Sequence, residues 1–156
     1  MPHLHYLTVQ DMLWINLQAT KKVQHFNYAR LEEATYYQYA YGESSSLIPQ
    51  AGRFLTGFLR LHPFDAGNES TGLIGCATFL NINGTRLTLD DAGALEWLDK
   101  VMTKQVSGED AVARSSGPDP CFHDSLKPDV RTTIRAVLEQ FPGAIASLAN
   151  LSAVAK

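Results

Sequence analysis

The sequence contains few of the residues that mark disulfide-rich or membrane-embedded proteins. Of its 156 residues only two are cysteines, Cys76 and Cys121, which are too few for a disulfide framework. No apolar run has the length needed to cross a bilayer, and the N-terminus lacks the basic and apolar regions of a signal peptide. These absences predict a soluble, cytoplasmic protein that does not act on a membrane.

Positive charge is also scarce in this chain. It carries 13 lysines and arginines against 16 aspartates and glutamates, a formal net charge of −3, and the basic residues are spread along the sequence. Proteins that bind nucleic acid usually concentrate positive charge on one face. The charge pattern therefore argues against nucleic acid as the main partner.

The chain does have enough apolar sequence for one helical domain. Its length suits a single domain, and a hydrophobic content of 45% supplies a sizeable core. Residues 85–89 alternate polar and apolar side chains, which predicts one short strand or an extended connection. Since a lone strand cannot stabilise itself, we predict an all-α bundle of six to eight helices.

Local signals mark where individual helices begin and end. Thr8 and Asp11 have capping-box spacing at the start of the first helix. The second helix is predicted to begin at Asn27 or Tyr28 and to end at Gly42. Later helices are predicted at about 46–61, 68–83, 91–102, 128–140 and 143–151.

Composition divides the chain into three parts. Residues 1–106 are predicted to form the helical domain. Residues 107–123 shift to serine, glycine, proline and charge, which is typical of a loop or linker. Residues 124–156 are too short for a core of their own, so we expect C-terminal helices that pack on the same domain.

One polar stretch, at 61–72, separates two apolar helical patterns. His62 precedes Pro63, so its backbone is pushed out of the helical region. Asn68 lies near the start of the next helix, where free N–H groups and the helix dipole favour an anion. A base that faces an anion-binding helix start suits phosphate chemistry. The ordinary alternative is a structural turn, with Asn68 as a helix cap and Phe64 as a core side chain.

Other groups of polar residues make weaker cases for a site. His3 and His5 are metal-ligand types, but no third ligand lies nearby in the sequence. Asp90 with Asp91 could also be a metal pair, but acidic residues at a helix start are the ordinary explanation, and the pair is predicted to cap the helix that follows. Residues 121–124, Cys-Phe-His-Asp, lack a partner cluster in the same way. Five tyrosines between residues 28 and 41 form either a docking surface or part of the core, and core packing is favoured for aromatic helix faces.

Residues 62–68 read His-Pro-Phe-Asp-Ala-Gly-Asn, which resembles the His-Pro-Phe-x-x-Gly-Asn signature of the Fic/Doc family at all five fixed places. Segments 6–13 and 31–37 also resemble Doc-type, or death-on-curing, members. The likeness covers roughly residues 6–104. It implies a Fic/Doc-like helical bundle with a central helix hairpin around this loop.

The chain departs from the family pattern directly after the signature. The family continues with Gly or Lys and then Arg, whereas this chain has Glu69 and Ser70. The arginine that would clamp a nucleotide phosphate is therefore absent, and a second family arginine is replaced by Leu73. The cations that the sequence offers as substitutes are Arg53, Arg60 and Arg86, each expected to be a surface arginine.

The resemblance implies a role for each residue of the loop. His62 would be the general base on a protein hydroxyl that attacks a nucleotide phosphate, and Asp65 would hold Mg²⁺. The remaining residues of the implied nucleotide site are Gly67, Asn68, Glu69 and Ser70. ATP and Mg²⁺ are the implied cofactors, and weak binding is expected because the Glu69 carboxylate repels a phosphate.

Two classes of function follow from this resemblance. One is a nucleotide-dependent transferase of AMP or phosphate with weakened or lost activity. The other is a non-catalytic relative that binds a protein, for example as a component of a toxin–antitoxin-like pair. The family's inhibitory pattern, Ser/Thr-x-x-x-Glu-Gly/Asn, is absent from this sequence. An antitoxin-like restraint of that kind would have to come from a separate chain.

Overall fold

The computed structural model describes residues 4–39, 46–122 and 127–154, and these residues are mostly helical, as the sequence predicts. They form eight helices and one two-stranded sheet. In chain order the elements are α1 (Val9–Thr20), α2 (Tyr28–Tyr36), α3 (Leu47–Leu61), α4 (Asn68–Asn81), β1 (Thr85–Leu87), α5 (Asp91–Met102), α6 (Gly108–Arg114), β2 (Ser116–Pro118), α7 (Val130–Gln140) and α8 (Pro142–Val154). Within these ranges, no helix combines the length and apolarity needed to span a membrane.

The hairpin of α3 and α4 lies at the centre of the fold. Every residue of α4 from Thr71 to Leu80 is buried, because α1, α3, α7 and α8 all pack against it. Phe54 on α3 makes edge-to-face contacts with Phe58 and Phe79, with ring centroids 6.0 and 6.3 Å apart. The two apolar helical patterns in the sequence therefore pack as the core hairpin, with the polar loop at its end.

The first two helices begin where the sequence predicts. The Thr8 hydroxyl and the Asp11 carboxylate form a reciprocal capping box, and the Asn27 side chain accepts a hydrogen bond from the N–H of Arg30. Helix α2 ends at Tyr36, however, and the predicted stop at Gly42 lies outside the described residues. The buried Gln38 side chain accepts a hydrogen bond from the Leu7 N–H and donates one to the Leu7 carbonyl oxygen. These two bonds hold the turn after α2 against the segment that precedes α1.

Within the segment 107–123, where composition predicts a loop or linker, residues 108–118 form a helix and a strand. Ser107 caps α6, whose Ala111 and Val112 are buried, and β2 follows it. Strand β2 pairs antiparallel with β1, and Arg86 lies opposite Gly117 in the register. The strand predicted at 85–89 therefore has a partner, supplied by the segment that looked least structured.

The close packing of α3 against α6 depends on two glycines. A Cβ atom on Gly52 would lie 2.5 Å from the backbone N and Cα of Glu109, and one on Gly108 would collide with the Gly52 carbonyl oxygen. The two helices are therefore in backbone contact. A side chain at either glycine would push them apart.

Replacement of Gly52 by alanine is expected to lower stability by about 1–3 kcal/mol, because the methyl group forces α6 away from α3. The matched control is Gly72→Ala on α4, where a Cβ atom would meet side-chain atoms at 3.5–3.7 Å. That change is expected to be neutral or stabilising by up to about 1 kcal/mol, since alanine favours a helix. Urea unfolding compares the variants with wild type. Equal stability of Gly52→Ala and wild type would contradict the close helix crossing.

Helices α7 and α8 pack on α4 and α5. Ile134, Val137 and Phe141 are fully buried. The Asp91 carboxylate accepts hydrogen bonds from the N–H groups of Gly143 and Ala144, at 2.8 and 2.9 Å. The neighbouring Asp90 caps α5. The acidic pair considered as metal ligands therefore caps two different helices.

Candidate functional site

Two residues with positive φ fix the course of the loop between α3 and α4. His62 follows the last residue of α3 with φ 46° and ψ 62°, which agrees with its predicted departure from the helix. Gly67 precedes α4 with φ 81°. A Cβ atom on Gly67 would also collide with the methyl group of Thr20 on α1. Backbone conformation and space both require glycine at this place in the signature.

The Asn68 side chain closes the loop from inside. Its Nδ2 donates to the Phe64 carbonyl oxygen at 2.7 Å, and its Oδ1 accepts from the Phe64 N–H at 2.9 Å. The residue is buried, with 3% of its surface exposed. The predicted role of this side chain in holding phosphate oxygens does not fit this geometry, because both polar atoms already bind Phe64.

A second contact holds the loop on α1. The buried Asn16 donates through Nδ2 to the Ala66 carbonyl oxygen at 3.0 Å and to the Thr71 hydroxyl at 3.1 Å. Sequence reasoning missed Asn16, which lies 50 residues from its loop partner. A polar residue within the apolar pattern of α1 was the only signal for it.

The connection between α1 and α2 pairs with the loop in a short antiparallel bridge. The Asn27 N–H donates to the Pro63 carbonyl oxygen at 2.8 Å, and the Asp65 N–H donates to the His25 carbonyl oxygen at 2.9 Å. The rings of Phe26 and Phe64 lie 5.9 Å apart over this bridge. This pairing was not predicted from the sequence, although Phe26 between a helix end and a cap residue is typical of an extended segment.

The structure brings His62 and Glu69 together at the solvent side of the loop. The His62 side chain is 53% exposed and the Glu69 side chain 21%, and their Nε2 and Oε1 atoms lie 4.0 Å apart. Asp65 is exposed, whereas Ser70 is buried in the first turn of α4. Ser70 therefore does not enter an open phosphate site as the sequence analysis expected.

No metal cluster accompanies Asp65 in the parts of the chain that the structure describes. No group of three or more His, Cys, Asp or Glu side chains is arranged there to hold a metal ion. Mg²⁺ commonly takes only one or two protein carboxylates and completes its shell with water and phosphate oxygens.

The three arginines that the sequence offers as substitutes for the missing phosphate clamp lie elsewhere. Arg53 donates to the carbonyl oxygens of Tyr37 and Tyr39, and Arg60 donates to the Tyr37 hydroxyl. Arg86 lies on β1 and is exposed. Across residues 4–39, 46–122 and 127–154, no arginine is ion-paired with Glu69.

Cys76 offers no alternative nucleophile to the loop histidine. It is buried on α4, and burial raises the pKa of its thiol to about 12. Its sulfur lies 3.6 Å from the Ala51 carbonyl oxygen within the core. Because a cysteine reacts as the thiolate, a buried thiol with this pKa is inert at neutral pH.

No protein-family model, curated protein or solved structure matches this chain. The resemblance of residues 62–68 to the Fic/Doc signature therefore stays a prediction. The chemistry of the site is inferred from its own charges and contacts.

The start of α4 is the part of the site that attracts an anion. The helix has 14 residues, and its N-cap, Gly67, supplies no side-chain hydrogen bond to the first turn. A long helix with an uncapped start favours negative charge at that end. Of the first four residues of α4, however, only Glu69 is partly exposed. An anion that approaches the helix start must therefore pass a carboxylate.

Proposed function

We propose that this chain is a Fic/Doc-like protein whose loop retains the base of a nucleotide-dependent transferase and has weakened phosphate binding. The observation that supports this most is the pair His62 and Glu69, 4.0 Å apart at the uncapped start of α4. An exposed imidazole beside an anion-attracting helix start suits transfer of AMP or phosphate to a protein hydroxyl. The adjacent carboxylate opposes the binding of the phosphate.

The proposed step uses His62 as general base. Its imidazole accepts the proton of a serine, threonine or tyrosine hydroxyl on a protein substrate, and the hydroxyl oxygen forms a bond to phosphorus. The bond from that phosphorus to the bridging oxygen breaks, which releases pyrophosphate when AMP is transferred and the nucleoside diphosphate when the terminal phosphate is transferred. A Mg²⁺–nucleotide, when bound, supplies that electrophilic phosphorus. Asp65 is the exposed carboxylate suited to the metal, and the α4 backbone is suited to phosphate oxygens. Asn68 positions the loop by holding Phe64 and does not touch the substrate in this proposal.

In this proposal, repulsion between the Glu69 carboxylate and a phosphate weakens nucleotide binding. Two unit charges about 4 Å apart interact by about 4 kcal/mol at the effective dielectric of a protein surface. A helix start typically contributes less than about 2 kcal/mol in the other direction. The Glu69 carboxylate therefore outweighs the helix, unless Mg²⁺ on Asp65 offsets it.

Glu69→Gln is expected to raise the affinity for ATP at least about tenfold, because it removes the charge and keeps the shape of the side chain. The matched control is Glu33→Gln on the exposed face of α2, which removes the same charge away from the loop. Isothermal titration with ATP, with and without Mg²⁺, measures the three proteins. Chemical-shift perturbation by NMR identifies whether ATP binds at residues 62–70. Tight binding by wild type at these residues that Glu69→Gln leaves unchanged would contradict the proposed obstruction.

Residue 70, where the family pattern has arginine, is not suited to a test that restores the arginine. Because Ser70 is buried, Ser70→Arg would force a long charged side chain into the packed start of α4. The double change that restores the family pattern would therefore disturb the loop as well as its charge. Glu69→Gly, without a change at Ser70, is the cleaner second variant for the titration.

A specific observation favours the second function, a non-catalytic protein-binding relative such as a toxin–antitoxin component. Val23, Phe26 and Tyr28 are exposed by 80%, 42% and 59%, and all lie in or beside the segment that pairs with the loop. Exposed apolar groups of this kind are typical of protein-binding surfaces. Failure of wild type, Glu69→Gln and Glu69→Gly to bind ATP at residues 62–70 under both metal conditions would favour this function over transfer.

A further inference from the structure

We propose that a second cleft, separate from the loop, binds a small molecule that carries two or more linked phosphates. The cleft lies between α3 and the junction of α5 with α6, and its volume is about 640 Å³. That size lies within the range of small-molecule sites in proteins. We call it the cationic cleft, after Arg53, Arg60 and Lys104, which line it.

The charge of the cationic cleft is unbalanced. Within the residues that the structure describes, Arg53, Arg60 and Lys104 make no ion pair with a carboxylate. Among the described residues that line the same cleft, the acidic one is Glu109, so their positive charge exceeds their negative charge. The whole chain has a net charge of −3. A local excess of cations without acidic partners leaves that charge available to an external anion.

Two of the three cations are already held in place. Arg53 donates through Nε to the Tyr37 carbonyl oxygen at 3.4 Å and through Nη2 to the Tyr39 carbonyl oxygen at 2.8 Å. Arg60 donates through Nη2 to the Tyr37 hydroxyl at 2.6 Å, and its guanidinium lies 5.4 Å from the centre of that ring. A fixed side chain loses less conformational freedom when a ligand binds.

Both arginines keep N–H donors for a ligand. A guanidinium has five N–H donors, and these bonds use two on Arg53 and one on Arg60. Arg53 and Arg60 are two turns apart on α3, so they lie on the same side of the helix, about 10 Å apart along its axis. That separation suits linked phosphates, each bound by its own guanidinium, better than a single phosphate.

Inorganic tripolyphosphate is the probe for this site, measured by isothermal titration at low salt. Wild type is expected to bind it saturably, and Lys104→Gln to bind about tenfold more weakly. The double variant Arg53→Gln/Arg60→Gln is expected to lose measurable binding. Glu109→Gln is expected to bind more tightly. The matched control is Arg86→Gln, an exposed arginine on β1 outside the cleft, which is expected to bind as wild type does.

Lys104→Gln keeps the test valid if the double variant fails to fold, since the Lys104 side chain is exposed on the surface. Circular dichroism melting establishes that each variant is folded. Three results would overturn the proposal: no saturable binding by wild type, equal weakening by Arg86→Gln, or an affinity that Lys104→Gln leaves unchanged and Glu69→Gln raises. The last result would place the anion at the start of α4. Equal affinities for orthophosphate and tripolyphosphate would overturn the requirement for linked phosphates.

Discussion

Removal of residues 125–156 is expected to abolish cooperative folding of the remaining chain. Among the described residues, the deleted part contributes four large apolar side chains to the core, Ile134, Val137, Phe141 and Leu148, and the small buried side chain of Ala144. Burial of a side chain of this size stabilises a fold by about 1.5–3 kcal/mol. Four such side chains together approach the whole stability of a typical domain, about 5–15 kcal/mol.

The deletion also removes polar contacts that join the tail to the rest of the fold. The Gln140 amide donates to the carbonyl oxygens of Leu87 and Leu89, at 3.2 and 3.3 Å. The Asp91 carboxylate would lose the two N–H groups of α8 that it caps. The same cut would expose the apolar faces of α4 and α5 to water. Loss of packing and of hydrogen bonds therefore acts in the same direction.

Thermal and urea unfolding, followed by circular dichroism, test this expectation. The shortened chain is expected to show a broad, non-cooperative transition or none. A chain that lacks only residues 155–156 is the control, and it is expected to melt as the full chain does. A shortened chain that melts cooperatively at the temperature of the full protein would show that α7 and α8 are dispensable for the core.

The features that the sequence predicted are those whose signal is local. Helical periodicity on both sides of residues 61–72 was sufficient for the α3–α4 hairpin. Pro63 and Gly67 restrict the backbone at single positions, so the loop could be placed from the residues alone. Caps such as Thr8 and Asn27 act within three residues, and Thr8 was predicted as a cap while Asn27 was one of the two predicted starts of the second helix.

The features that the sequence analysis missed depend on partners far away in the chain. Helix α6 has seven residues and β2 has three, lengths at which a local pattern is weak. Their stability comes from the crossing of Gly52 with Gly108 and from pairing with β1. The contact of Asn16 with the loop could not be predicted for the same reason. No residue near Asn16 in the sequence indicates that it contacts Ala66.

The positions of the charged side chains around the loop also differ from those that the sequence suggested. Arg53 and Arg60 were considered as substitutes for the missing arginine of the loop, but both extend towards Tyr37. The solvent side of the loop carries the carboxylates of Asp65 and Glu69 instead. Negative charge at the loop and positive charge in the cationic cleft make these two places suited to different ligands.

The direction of the Asn68 side chain could not be read from the sequence. An asparagine near a helix start has several backbone groups within reach, and propensity does not choose among them. In the structure the amide turns inward and binds both polar backbone groups of Phe64. The residue is therefore part of the framework of the loop, which leads to a prediction about stability.

Asn68→Ala is expected to destabilise the protein by about 2–4 kcal/mol. The change leaves the buried N–H and carbonyl groups of Phe64 without a partner, and each unsatisfied group costs about 1–3 kcal/mol. For a chain of this length, each kcal/mol lowers the melting temperature by roughly 2–4 °C. Asn68→Asp is expected to recover only part of the loss, because a carboxylate accepts from the Phe64 N–H but repels the Phe64 carbonyl oxygen.

Asn81→Ala, at the other end of the same helix, is the matched control for Asn68→Ala. The Asn81 Oδ1 is buried and has no hydrogen-bond partner among the described residues, so its removal is expected to be neutral or stabilising. Differential scanning calorimetry compares the melting temperatures of wild type and the three variants. Limited proteolysis should also cut Asn68→Ala faster within residues 62–67, since the loop loses its internal clamp. Equal melting temperatures and equal cleavage rates for Asn68→Ala and wild type would show that Asn68 does not hold the loop.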